Sequence, residues 1–91
     1  PETGRPSLYI TDPQTTTHFN NMTPEESLPI ITFLLNHATR PEFTCRLNWE
    51  VGTLAIWDNR RVLHMALNDY PGQRRVMHRI TIKGTPPIGL A

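Results

Sequence analysis

Two hydrophobic periods divide the chain. Between Thr23 and Arg40 the apolar residues recur at helical spacing: Leu28, Ile31 and Leu35, with Ile30 and Leu34 beside them, form one broad stripe. Thr23-Pro24-Glu25-Glu26 supplies the start, with a capping hydroxyl, a proline at the first helical position and a glutamate placed to complete a capping box. Arg40-Pro41 supplies the stop, because a residue before proline is driven out of the helical region. After Pro41 the period shortens to two. Phe43, Cys45, Leu47 and Trp49 alternate with Thr44, Arg46 and Asn48, as in a strand with one buried face. Gly52 permits a turn, residues 53–57 are almost continuously apolar, as in a more buried strand, and Asp58-Asn59 brings turn chemistry. Residues 62–66 read as a further short strand and Pro71-Gly72 as another turn. Residues 75–83 alternate again, with Val76, His78, Ile80 and Ile82 on one face and Arg75, Met77, Arg79 and Thr81 on the other. Ahead of the helix, residues 7–10 form a short β-prone run entering a turn at Asp12-Pro13, and residues 14–22 are polar and aperiodic. The pattern predicts a mainly β piece with a covering helix and an incomplete sheet.

Composition narrows the function classes. The 91 residues bound the chain at one small domain or less, and neither a repeat nor a linker divides residues 1–91. Nine lysines and arginines against eight acidic residues leave a formal charge of +1, which argues against nucleic acid or a charged membrane surface as the partner. The basic run from Arg74 to Arg79 lacks interleaved aromatic residues, so it does not change that reading. One cysteine, Cys45, excludes an internal disulfide or a thiolate zinc site and makes a reducing, cytoplasmic compartment the default. No stretch has the length of a transmembrane helix. The chain opens on Pro1-Glu2-Thr3-Gly4 without methionine, as expected of a processed product or part of something longer.

Candidate chemistry concentrates between residues 57 and 82. His64 lies close to a predicted strand, and Arg75 and Arg79 share one face of a later strand, an arrangement that would set a metal corner beside an anion clamp. Spacing alone leaves His64 open between ligand and structural hydrogen-bonding residue, the latter being commoner. Trp57 reads as a core residue, Asp58, Asn59 and Arg60 as a turn fixed by a salt bridge, Arg74 as solvent-facing, and His78 as facing away from the arginines. The Asn21-Met22-Thr23 sequon reads as chance, since Thr23 is already explained as a cap.

Trp57-Asp58-Asn59-Arg60, His64, Asp69-Tyr70 and Arg74-Arg75-Val76-Met77-His78-Arg79, taken in order, resemble the C-terminal signature of the taurine dioxygenase (TauD/TfdA) family. The likeness extends back through Arg40-Pro41-Glu42-Phe43, the helix, Ser7-Leu8-Tyr9 and Pro1-Glu2-Thr3-Gly4-Arg5. It implies the C-terminal part of a double-stranded β-helix, or jelly roll. It also implies an Fe(II)- and 2-oxoglutarate-dependent dioxygenase acting on a small anion, taurine or another sulfonate first, with release of succinate and CO2. Resemblance makes His64 the distal histidine of a two-histidine, one-carboxylate iron triad. It makes Arg75, eleven positions on, the anchor of 2-oxoglutarate, and Arg79 the residue that meets the substrate anion. The full-length protein is expected to self-associate.

The other two ligands of that triad come from a His-x-Asp or His-x-Glu motif. His18, His37 and His78 lead instead to Phe19-Asn20, Ala38-Thr39 and Arg79-Ile80. Activity is therefore expected only with an N-terminal part that these residues do not contain. The competing expectations are a non-catalytic remnant and a metal-independent anion-binding module built on the two arginines.

Overall fold

The computed structural model describes residues 1–89. Its one α-helix, α1 (Pro24–Ala38), starts where the capping signal placed it. Thr23 is extended, its Oγ1 accepts the backbone N–H of Glu26 at 3.2 Å, and the Glu26 carboxylate accepts the N–H of Thr23 at 2.9 Å. Two of the unsatisfied donors of the first turn are thereby paired. At the other end the backbone N–H of Thr39 donates to the carbonyl of Leu35 at 3.0 Å, and a 3-10 turn at Pro41–Phe43 follows. Pro29 lies inside the helix, where it leaves the carbonyl of Glu25 without its usual partner four residues on. The helix runs through it.

The buried stripe is narrower than the apolar pattern suggested, and centred differently. Ile31 is 1% exposed and Ser27 0%, whereas Leu28 and Ile30 stand half open at 50% and 42%. Burial of Ser27 is tolerated because its Oγ accepts the backbone N–H of Phe19 at 3.0 Å, fastening the preceding loop across the helix. That loop is held locally. Asp12 caps its own turn, with Oδ1 accepting the N–H of Gln14 at 2.9 Å, and Thr16 Oγ1 accepts the N–H of Thr11 at 2.9 Å. The carboxyl of Asp12 lies below the ordinary aspartate range, first because of the Gln14 N–H.

The mainly β expectation is corrected. Among the described residues there is no strand: residues 7–10, 43–49, 53–57, 62–66 and 75–83 carry no ladder. Outside α1, every backbone–backbone hydrogen bond among the described residues joins residues three or four apart, as in turns and caps. The physical reason is pairing. A strand exists only where a second strand, about 4.8 Å away, takes up its N–H and C=O groups, so alternation marks a tendency that a partner must realise. Without a facing layer the alternating side chains also stay in water: Leu54 and Ile56 are both 83% exposed, Ile80 is 90% and Ile82 is 85%. The chain accordingly exposes 9053 Å² and has a radius of gyration of 16.3 Å. A compact protein of this mass and length would expose about 5,400 Å², with a radius near 12 Å.

The turns are where the sequence placed them. The N–H of Thr53 donates to the carbonyl of Glu50 at 3.0 Å around Gly52, whose φ of 89° lies in the left-handed region. The N–H of Gln73 donates to the carbonyl of Tyr70 at 3.1 Å around Pro71-Gly72, with Gly72 at φ 73°. Proline at the second position and a left-handed glycine at the third define a type II turn.

Candidate active site

A dense set of hydrogen bonds holds the turn between Trp57 and Val62. Asp58 builds it in two ways. Its carbonyl accepts the N–H groups of Arg61 and Val62 at 3.0 and 3.1 Å, and its Oδ1 accepts the N–H of Arg60 at 2.9 Å. The guanidinium of Arg60 then folds back on the same carboxylate, Nε to Oδ1 at 3.0 Å and Nη2 to Oδ2 at 2.8 Å, a two-point pairing of planar groups. Nη2 also reaches Glu2 at 3.1 Å, joining residues 58 positions apart. The hydrogen bonds from Arg60 hold the Asp58 carboxyl down at about 2, while Asp58 and then Glu2 push the Arg60 pKa up. Glu2 is lowered as well, first by its own backbone N–H and then by Arg60. The turn and salt bridge expected at residues 58–60 are present.

This turn presents the aromatic pair that follows. The indole N–H of Trp57 donates to Asn59 Oδ1 at 2.8 Å, and the indole lies against the ring of His64 with centroids 4.8 Å apart and planes tilted by 49°. Trp57 is therefore not the core residue expected of it, being 39% exposed. His64 is exposed and stands on the wall of an open cleft of about 570 Å³. Leu35 and Thr39 of the α1 C-terminal region, Tyr9 and Asp12 of the N-terminal loop, and residues 62–65 enclose it. Imidazole, carboxylate and hydroxyl groups thus share a small concave surface.

Arg75 and Arg79 are not on that wall. With no strand over residues 75–83, the shared face expected of them is not formed. Arg75 is half-buried, with its guanidinium carbon 5.2 Å from the centroid of the Tyr70 ring, while Arg74, His78 and Arg79 are exposed. Among the described residues no carboxylate pairs with Arg75. The structure thus holds His64 by one aromatic neighbour and Arg75 by another, as two separate features.

Iron does not fit these residues by themselves. Among the described residues no three of His, Cys, Asp and Glu gather closely enough to hold a metal ion. An exposed single imidazole is one ligand where a non-haem iron needs three. The 2-oxoglutarate side fits better, since Arg75 offers unpaired donors in a planar fork suited to a carboxylate.

A sequence profile described as "Taurine catabolism dioxygenase TauD, TfdA family" matches residues 1–81. The chain belongs to this family. The TauD/TfdA match runs through His64, Arg75 and Arg79 as well as the Asp58–Arg60 turn. Similar relatives include an alpha-ketoglutarate-dependent sulfate ester dioxygenase of Pseudomonas putida, 43% identical over 65 residues, which are 71% of this chain and 22% of that protein. An alkylsulfatase of Acinetobacter baylyi is 39% identical over 93 aligned positions, covering 98% of this chain and 27% of that protein. An alpha-ketoglutarate-dependent 2,4-dichlorophenoxyacetate dioxygenase of a Burkholderia species is 39% identical over 67 residues, covering 74% and 23% respectively. The chain spans about a quarter of the length of these curated TauD/TfdA relatives. No solved structure matches it.

Two partners escaped the sequence reading. Nothing in the sequence ties Glu2 to Arg60 across 58 positions. Tyr70 was legible only as half of an Asp-Tyr pair, although an aromatic residue directly before Pro-Gly and an arginine just beyond the turn were a signal that the turn brings them together.

Proposed function

We propose that this chain contributes one iron ligand and two anion-binding arginines to an Fe(II)- and 2-oxoglutarate-dependent dioxygenase of small anionic substrates. His64 is the ligand, Arg75 receives the distal carboxylate of 2-oxoglutarate, and Arg79 meets the anionic group of the substrate. The observation that carries this reading is the family match across residues 1–81, which includes all three positions. The half-buried guanidinium of Arg75, without a carboxylate partner among the described residues, supports its part. The remaining ligands come from residues outside this chain. Bound iron would supply the oxygen chemistry, while these residues bind and orient two anions.

For the substrate we favour a sulfur oxyanion, a sulfate ester or a sulfonate such as taurine. The printed functions of the Pseudomonas and Acinetobacter relatives, a sulfate ester dioxygenase and an alkylsulfatase, support that class. The 2,4-dichlorophenoxyacetate relative makes a carboxylate the comparison to run. Arg79 suits either, because a guanidinium fork matches any planar or tetrahedral oxyanion.

The test uses the complete protein that carries these residues, assayed anaerobically for binding and aerobically for succinate. His64→Ala is expected to abolish succinate formation coupled to substrate oxidation. Arg75→Ala is expected to weaken 2-oxoglutarate binding by about 10- to 100-fold, the size of one lost charge-assisted hydrogen bond. Full activity of His64→Ala would refute the assignment. Anion binding that survives His64→Ala, needs no metal and is lost in Arg75→Ala would point to an anion-binding module in place of an oxygenase.

A further inference from the structure

Arg75 is the one arginine in its segment that is not simply in water, and the reason is Tyr70. The type II turn at Pro71-Gly72 is closed by the Gln73 N–H on the Tyr70 carbonyl at 3.1 Å, and it turns the chain so that residue 75 returns over residue 70. The guanidinium carbon then sits 5.2 Å from the phenol ring centroid. Both side chains are half-buried, while Arg74 and Arg79 on either side are exposed. A cation over an aromatic ring at this distance is attracted by the negative face of the ring, and that attraction leaves the in-plane N–H donors of the guanidinium free.

We propose that Tyr70 is a positioning residue for 2-oxoglutarate: its ring holds the guanidinium of Arg75 by one face, so that the N–H edge is presented to the distal carboxylate. This inference rests on the assignment of Arg75 made above. A long arginine otherwise loses considerable side-chain entropy when it captures an anion, and the tyrosine lowers that loss by restricting the guanidinium beforehand. The Pro71-Gly72 turn is part of the device, because it fixes where the ring stands relative to residue 75. The phenol hydroxyl has no part in it.

The experiment is anaerobic calorimetry on the complete protein with saturating Fe(II), comparing 2-oxoglutarate with 2-oxopentanoate, which carries a methyl group in place of the distal carboxylate. Tyr70→Leu is expected to weaken 2-oxoglutarate binding by roughly 2- to 30-fold, the range of a cation–π contact. It should leave 2-oxopentanoate binding unchanged, which also shows that the variant is folded. Tyr70→Phe keeps the ring and is expected to bind both ligands as the parent does. If Arg75→Ala weakens 2-oxoglutarate binding but Tyr70→Leu does not, the role of Tyr70 is overturned and that of Arg75 stands. If Tyr70→Leu weakens both ligands equally, the tyrosine is a structural residue and the inference is overturned. If Arg75→Ala leaves 2-oxoglutarate binding unchanged, both assignments are overturned.

Discussion

Removing the hydroxyl that starts α1 should loosen a wall of the cleft that contains His64. Thr23 Oγ1 accepts the Glu26 N–H at 3.2 Å, and the Glu26 carboxylate accepts the Thr23 N–H at 2.9 Å. In Thr23→Ala the Glu26 N–H loses its side-chain acceptor, while the glutamate can still return its own bond. The N-cap is exposed, so water replaces part of what is lost and the cost stays near the middle of the usual range, about 1 kcal/mol. By the Boltzmann relation, about 1 kcal/mol is a roughly fivefold change in the local opening equilibrium. The helix that Thr23 starts is one wall of the cleft, since Leu35 near its C-terminus, with Thr39 just beyond, lines that cleft with His64.

Native-state hydrogen exchange reads this directly, amide by amide. Protection of the backbone amides of Ser27 and Leu28 is expected to fall roughly fivefold in Thr23→Ala, to stay near parental in Thr23→Ser and to fall by an intermediate factor in Thr23→Gly. A Glu26→Ala variant removes the reciprocal arm, and the Thr23→Ala/Glu26→Ala pair should cost less than the sum of the singles because the two bonds form one unit. Equal protection in Thr23→Ala and Thr23→Ser would refute the reasoning, since the two differ only in whether a hydroxyl is available to cap.

The Asp58–Arg60 pair gives a pH prediction. With its folded pKa lowered to about 2, Asp58 contributes stability that is present above its unfolded value near 3.9 and is lost as pH falls through about 2. An NMR titration of the Arg60 Nε–H resonance should show the loss in that window, and Asp58→Asn, which keeps an oxygen for the Arg60 N–H, should remove the Asp58 step while retaining the turn and leaving the step of Glu2, which also pairs with Arg60. Gly72→Ala meets no steric obstacle, since an added Cβ has nothing within 4 Å, yet the φ of 73° makes it strained. A cost of about 1 kcal/mol in urea denaturation of the complete protein is expected, and a neutral result would show that the turn is not held in this conformation. Ile31→Ala removes the most buried large side chain, 1% exposed. Its cost in the same assay should fall in the ordinary range of about 2–5 kcal/mol, whereas Leu54→Ala, at 83% exposure, is expected to be near neutral.

Some features follow from the sequence because their physics is local. The helix start at Thr23-Pro24, the turns at Gly52 and Pro71-Gly72, and the Asp58–Arg60 pair each depend on residues within five positions, and each forms. The family signature is local in the same sense, as an ordered string of residue types that includes His64, Arg75 and Arg79. The rest depends on contacts between distant segments. Alternation at residues 43–49 and 75–83 described strands that no described partner completes, so the shared face of Arg75 and Arg79 goes with them. Burial of Ser27 in place of Leu28, and the reach of Arg60 to Glu2, depend on which segment crosses which. Hydrophobic burial and strand pairing are reciprocal: a sequence can offer a face or an edge, but only a facing segment makes it a core or a sheet.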